Sequence, residues 1–310
     1  MRIVFYTGKG GVGKSTIAAA SAWQLSRTRR VLIVSLDPAH NLGDIFRVPL
    51  GQGERNFSEN LVLREVDLKK LSRNYLEREI SVLSGTYKYL QAFNLDRYFS
   101  VLKYSPGIEE YALLTSIDET IRGGKDFDYI VFDTPPTGLT LRFLALPQVT
   151  MAWIDRLIQI RKQILEKRYT IQKIMRPLKE GENNPEVRLD YTEEGDEVLQ
   201  RLRFLNENYQ GLSRILRSEQ CGFVLVFNPD LLSLRESERI VEGLRDLKLP
   251  LRLLIDNKVT EENRETAAKA EEELRTATGG VPVERVLLSG MLGGEKGLYE
   301  IPEDLVSILH

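Results

Sequence analysis

The amino-acid sequence predicts an α/β fold: a doubly wound, mostly parallel sheet with an inserted α-helical subdomain. Three observations predict it. Short apolar runs without alternation recur along the chain, as expected of strands covered on both faces. Polar segments with three- and four-residue apolar spacing separate them, as expected of helices. The first strand runs straight into a glycine-rich loop and a helix, placing a ligand loop at a strand's C-terminal end.

The first run, Arg2-Ile3-Val4-Phe5-Tyr6, stops at Gly8-Lys9-Gly10-Gly11-Val12-Gly13-Lys14-Ser15-Thr16. A small-residue helix pattern, Ile17-Ala18-Ala19-Ala20-Ser21-Ala22, follows. This is G-x-x-x-x-G-K-[ST] between a strand and a helix, the P-loop arrangement. The additional glycines let the backbone approach an anion, with successive N–H groups turned inward on phosphate. The helix N-terminus adds orphan donors and the positive end of its dipole. Lys14 is placed to reach the β- and γ-phosphates of a nucleotide, and the Ser15 hydroxyl to ligate Mg²⁺. A bare strand-to-helix turn needs fewer glycines and no Lys-Ser pair.

The next strand is Val31-Leu32-Ile33-Val34-Ser35-Leu36, ending at Asp37-Pro38-Ala39-His40-Asn41, where Pro38 forbids a regular continuation. From about 56 to 102, Leu68, Leu71, Tyr75, Leu76, Ile80 and Leu83 recur at helical spacing. That stretch reads as amphipathic helices, not sheet. Ser105-Pro106-Gly107 breaks them, a helix resumes over 108–121, and Gly123-Gly124 ends it. Tyr129-Ile130-Val131-Phe132-Asp133 is a buried strand running into Thr134-Pro135-Pro136-Thr137-Gly138. Helical periodicity returns over 139–176, interrupted at Pro147, then a polar loop spans 180–195 and a helix 197–216. Strands over 222–227, 251–255 and 281–288 alternate with helices over 233–247 and 261–276, the second of these strands ending in Asp256-Asn257-Lys258. The expectation is one P-loop nucleotide-binding domain over 1–310 with about seven strands, its helical subdomain formed by insertions at about 56–122 and 139–216.

Composition narrows the function. A 310-residue chain, 42% hydrophobic and 28% charged, suits a soluble globular protein of this size without disulfide or metal staples. A net charge of -2 offers no general attraction to nucleic acid or anionic membrane, so no nucleic-acid partner is expected. The single cysteine, Cys221, rules out an internal disulfide framework and a zinc site of paired thiolates within one chain. The N-terminus reads as a strand and not a signal segment, and no apolar run approaches the ~18 residues of a spanning helix. A cytoplasmic protein, at most peripheral to a membrane, is expected.

Asp37 and Asp133 each end a hydrophobic strand, which in a parallel sheet brings them to one edge beside the phosphate loop. One carboxylate can hold Mg²⁺ through its water shell. The other can orient or deprotonate the attacking water. Lys9 is either a solvated loop lysine or a second phosphate-directed cation acting across a subunit interface, as an arginine finger does.

Lys9-Gly10-Gly11-Val12-Gly13-Lys14-Ser15 resembles the deviant phosphate loop of the signature-lysine ATPases. Asp37-Pro38-Ala39-His40-Asn41 resembles the first switch of the arsenite-pump and tail-anchored-protein targeting ATPases, and 133–144 resembles their second switch. The segment 229–239 resembles a later strand-to-helix segment of the same family, and 105–110 also resembles a family segment. The resemblance implies that Lys9 is the intermonomer lysine of a nucleotide-bound homodimer and that Asp37 positions the hydrolytic water. It also implies that Asp133 lies near Mg²⁺ and that Asn41 and Asn257 belong to the nucleotide site, Asn257 contacting adenine. There are departures. The Cys-x-x-Cys pair of the eukaryotic targeting ATPases and the separated cysteines of arsenite-responsive pumps are missing, so no zinc is expected. Leu139 stands where a histidine often follows the second-switch glycine, and 291–297 matches the C-terminal nucleotide loop only loosely.

Thiolates are the natural ligands of a metalloid, and their scarcity shifts attention to the helices. The apolar residues of 139–164 exceed one core-facing stripe, and they form either a groove for a client's hydrophobic helix or a plain core. The expected function is an ATP-hydrolysing homodimeric switch that targets or chaperones tail-anchored membrane proteins, with a membrane receptor as a further partner. The alternative is the catalytic ATPase subunit of an anion or arsenite pump. A partition-type DNA-binding switch is the weakest of the three, since there is no basic patch.

Overall fold

A computed structural model describes residues 1–39, 41–51, 53–86, 105–175 and 192–287. Strands β1 (Arg2–Thr7), β2 (Val31–Ser35), β3 (Glu54–Asn56), β4 (Leu61–Glu65), β5 (Tyr129–Asp133), β6 (Cys221–Phe227), β7 (Leu251–Val259) and β8 (Val283–Leu287) form one sheet in the order β3-β4-β2-β5-β1-β6-β7-β8. All neighbours pair parallel except β3, which lies antiparallel on the edge against β4.

The apolar runs form strands because both faces of the sheet are covered: β2, β5 and β6 are buried at every residue. Helix α1 (Lys14–Leu25) lays Ile17, Ala18, Ala19, Ala20 and Ala22 into the core on one face, with Val4, Tyr6, Ile33 and Val131. In the middle of the sheet Phe5 is in register with Phe132 on one side and Phe223 on the other. The three rings stack with centroids 4.7 and 4.9 Å apart and planes within 14°. The chain enters at β1, moves out to β2 and β4, returns to β5 beside β1, then continues on the far side through β6 and β7. Strand order therefore reverses around β1, which puts the switch point at its C-terminal end.

The remaining helices are α2 (Asn41–Phe46), α3 (Leu68–Thr86), α4 (Ile108–Gly123), α5 (Thr137–Met175), α6 (Glu197–Leu216), α7 (Leu231–Asp246) and α8 (Arg264–Thr278). Helices α3 and α4 pair, with Tyr75 stacked on Tyr111 at 6.2 Å and Arg78 bonded to Glu119 at 2.9 Å. The chain forms two compact units, 1–144 with 216–310, and 145–215. Within the second, Arg161 of α5 grips Asp196 at 2.9 and 2.6 Å, and Asp196 accepts from Leu199 N–H at 2.8 Å in the first turn of α6.

Several expectations are corrected. The stretch after 56 is not wholly helical: Leu61, Val62 and Leu63 are buried in β4, and helix begins only at Leu68. The sheet has eight strands among the described residues. Strand β7 does not end before Asp256-Asn257-Lys258 but runs through them to Val259, with a shift of register against β8. Pro147 does not interrupt α5, which continues through it to Met175. Proline removes only one helical N–H and leaves the carbonyl four residues back without its donor, a loss a long helix can absorb. Most of the expected 180–195 loop, and all of 291–297, fall outside the described residues.

Candidate active site

The phosphate loop leaves β1 under tight steric demands. A Cβ on Gly8 would stand 2.1 Å from the Val226 carbonyl oxygen of the neighbouring strand. Gly13 caps α1 with φ 95°, a left-handed conformation, and a Cβ there would meet Asn257 Nδ2 at 2.4 Å. The loop is fastened from outside. Asn257 Nδ2 donates to the Val12 carbonyl at 2.7 Å, and Lys258 Nζ donates to the Gly11 carbonyl at 2.8 Å. The Asn228 amide, oriented to satisfy its neighbours, donates to Val12 O at 3.2 Å and Asn257 O at 3.3 Å. A planar trans peptide opposes its C=O and N–H, so holding the Val12 carbonyl on β7 turns the Gly13 N–H the other way. That is the polarity an anion cradle needs.

Lys14, Ser15, Asp37 and Asp133 come together at the edge where β1, β2 and β5 end. Lys14 Nζ lies 3.8 Å from Asp37 Oδ2, with only 4% and 11% of the two side chains exposed. Asp37 Oδ1 accepts from Ala39 N–H at 3.0 Å, which fixes the carboxylate just beyond β2. Asp133 is fully buried, and Ser35 Oγ donates to its Oδ2 at 3.4 Å. Burial pushes the Asp133 carboxyl up to about 6, against the opposing pull of Lys14 and of a Ser15 hydroxyl bond. Asp37 adds to the rise and Ser35 to the pull.

These residues suit a Mg–nucleotide. Asp133 Oδ1 is buried and has no hydrogen-bond partner among the described residues, an orphan acceptor that a cation or its bound water would satisfy. The Ser15 hydroxyl beside it is the second oxygen donor. Among the described residues no three His, Cys, Asp or Glu gather into a metal-holding group. Mg²⁺ needs none, since it is held by one or two protein oxygens, waters and the phosphates themselves. Asn257 Oδ1 is likewise buried without a partner among the described residues, an acceptor open to an amino group.

The backbone after β5 is tied to the neighbouring strands. Leu36 N–H donates to Asp133 O at 2.8 Å, and Thr134 donates to Tyr6 O through its N–H at 3.2 Å and its hydroxyl at 2.9 Å. Thr140 Oγ1 donates to Pro135 O at 2.7 Å, and Arg142 lies 3.3 Å from Glu110 of α4. The remaining sequence candidates sit around this centre. Lys9 and Thr16 are partly exposed, Val12 is buried, and Gly10 is open to solvent. Lys9 makes no ion pair with a described residue. Asn41 opens α2, but its side chain falls outside the described residues, as does His40. Three polar residues escaped the sequence reading: Ser35, Asn228 and Lys258. Ser35 carried a signal, as the one hydroxyl in an otherwise aliphatic strand run.

Comparison with known proteins identifies the family. Residues 1–278 match the family described as anion-transporting ATPases. A protein of Aquifex aeolicus (strain VF5), the second there to be named after the arsenical pump-driving ATPases, is 32% identical over 265 residues, covering 85% of this chain and 82% of that protein. The first of that name in the same organism is 32% identical over 250 residues, covering 77% of this chain but 58% of that protein. ATPase GET3 of Podospora anserina is 31% identical over 270 residues, covering 84% of this chain and 73% of that protein. Use of ATP with Mg²⁺ follows from such a family. The chain belongs to the anion-transporting ATPase family, and with it to the enzymes that hydrolyse ATP.

Proposed function

We propose that this ATPase is a nucleotide-switched homodimer that shields the hydrophobic helix of a tail-anchored membrane protein. One observation carries the reading. On α5, within 145–215, Trp153, Leu157, Ile160, Ile164 and Ile171 are exposed, Trp153 by 68%, while Ile154 and Leu165 are buried. The exposed set recurs at four, three, four and seven residues, a continuous seam on one helix face. The buried pair supplies the core, so the seam is surplus to it. An apolar seam of this kind suits a helical ligand. No helix among the described residues is long and apolar enough to cross a membrane. In this reading the protein works in the cytoplasm and meets the membrane through a receptor.

Lys14 and the loop from Gly8 to Thr16 then hold the phosphates, and Ser15 ligates Mg²⁺ directly with Asp133 acting through water. Asp37 orients the hydrolytic water, and Asn41 and Asn257 contribute to the nucleotide pocket. Lys9 reaches the nucleotide of the facing subunit, and the loops after Asp37 and Asp133 relay loss of the γ-phosphate to the helices.

The test is capture of a synthetic apolar helix of about 20 residues by the Asp37→Asn protein with ATP. Capture should depend on ATP and vanish when Trp153, Ile160 and Ile164 are all replaced by Glu. Equal capture by that triple variant would end the proposal. The relatives named after arsenical pump-driving ATPases favour a second reading, the catalytic subunit of an anion or arsenite pump. Cys221 gives it little help, since burial pushes this lone thiol up to about 12 and keeps it protonated. Stimulation of ATP turnover by arsenite or another oxyanion would favour the pump over the targeting factor.

A further inference from the structure

We infer that Lys258, on the bulge of β7, is a positioning residue for Lys9. The β7–β8 register shifts between Asn257 and Val259, and Lys258 between them adopts φ 61°. Only Arg47, Lys248 and Lys258 among the described non-glycine residues have positive φ, and Lys258 is the one beside the phosphate loop. A side chain held in that region is strained, and it persists where its surroundings require it. Here the bulge takes Lys258 out of the strand ladder and lets its ammonium reach the loop.

The connection to Lys9 passes through two bonds and one rigid plane. Lys258 Nζ donates to Gly11 O at 2.8 Å. The Gly11–Val12 peptide is planar, so anchoring its carbonyl on β7 directs the Val12 N–H the opposite way. That N–H points at Lys9 O, at 3.5 Å, closing the turn that carries Lys9. The next peptide is fixed in the same manner, by Asn257 Nδ2 on Val12 O at 2.7 Å. Two adjacent residues of one strand thus set two adjacent peptides of the loop. Gly11 itself has φ 84°, and a Cβ on it would meet no atom within 4 Å, so local packing does not fix the turn. The charge-assisted bond from Lys258 supplies the restraint that packing does not.

The inference rests on Lys9 acting in turnover, and a double-mutant cycle of the full chain separates the two claims. Lys258→Gly relieves the left-handed strain while deleting the ammonium, so its melting temperature should equal or exceed the parent's. Its equilibrium affinity for ATP should stay within about threefold of the parent while kcat falls about tenfold. Lys258→Arg, which keeps a donor cation, should recover most of that loss. In Lys9→Ala, the further change Lys258→Gly should cost nothing more. The inference is overturned by a Lys258→Gly kcat within about twofold of the parent, by lost affinity in place of lost kcat, or by multiplicative losses in the double variant. A Lys9→Ala protein at parental turnover would remove the role of Lys9 itself and the inference with it. Slow Lys9→Ala with normal Lys258→Gly would remove the inference alone.

Discussion

Lys14 and Asp37 form the charge pair at the heart of the site, 3.8 Å apart and nearly closed to solvent. The spacing is longer than a direct hydrogen bond, so the lysine is balanced by the carboxylate without being locked to it. An arriving triphosphate can take over the ammonium, leaving Asp37 facing water. Asp37→Asn should therefore keep ATP affinity close to the parent's and lower turnover by about 10²-fold or more. Lys14→Ala should weaken ATP binding by at least about 10²-fold. Equilibrium binding and phosphate release, measured on both variants, check the split.

The two steric anchors of the loop predict different failures. Gly13→Ala drives a methyl into Asn257 Nδ2, a side chain with little freedom because it is buried and bonded to Val12. Gly8→Ala drives one into the backbone of β6, which cannot yield. Gly8→Ala should cost about 3 kcal/mol or more of folding stability, and Gly13→Ala should lose ATP affinity at a smaller cost. Chemical denaturation with and without nucleotide distinguishes them.

A second buried carboxyl predicts a pH dependence. Asp256 of β7 is fully buried and faces Glu271 of α8, whose carboxylate is clamped by Arg285 of β8 at 2.7 and 2.7 Å. Burial, then a hydrogen bond and the charge of Glu271, push Asp256 up to about 8, while Arg285 pulls it down. A folded value above the unfolded one means the native state holds the extra proton. Stability should be highest in mild acid and fall as pH rises toward about 8. Asp256→Asn should melt higher than the parent at pH 9, the gap closing toward pH 5. Parallel melting curves would count against the pair.

Asp196 has the opposite sign. Arg161 chiefly, with help from the Leu199 N–H, holds its carboxyl below the usual carboxylate range. Its stabilisation is present above the unfolded value and lost as pH falls through the depressed one. Asp196→Ala removes both the cap of α6 and the partner of Arg161, and should destabilise 145–215 by about 2 kcal/mol. Faster amide exchange over 197–203, with ATP affinity unchanged, is the expected readout.

The phosphate loop was legible because its demands are local. Gly8 and Gly13 mark places where a Cβ cannot fit, and Lys14-Ser15 needs no distant context. Asp37 and Asp133 were legible because parallel strands deliver their ends to one edge. Strand β4 was not, since three aliphatic residues, Leu61 to Leu63, precede a long amphipathic helix whose periodicity dominates any window around them. Asn257 and Lys258 misled for another reason. Polar residues after an apolar run suggest an exit from the sheet, and only the bulge in register with β8 explains how the strand carries on through them. The fastening of Gly11 and Val12 spans 245 and more positions of sequence and leaves no local trace.

The stacked rings of Phe132, Phe5 and Phe223 bear on the accuracy of the chemistry as well as on the core. They act as a levelling line across β5, β1 and β6, whose far ends carry Asp133, the start of the phosphate loop and the Val226 carbonyl against Gly8. A slip of one residue between β1 and β5 would break the stack, turn Asp133 to the opposite face and shift it by about 3.3 Å. That distance is close to the whole gap between Lys14 and Asp37. Three phenylalanines one to three residues back from these groups thus calibrate the heights at which the site's charged groups meet.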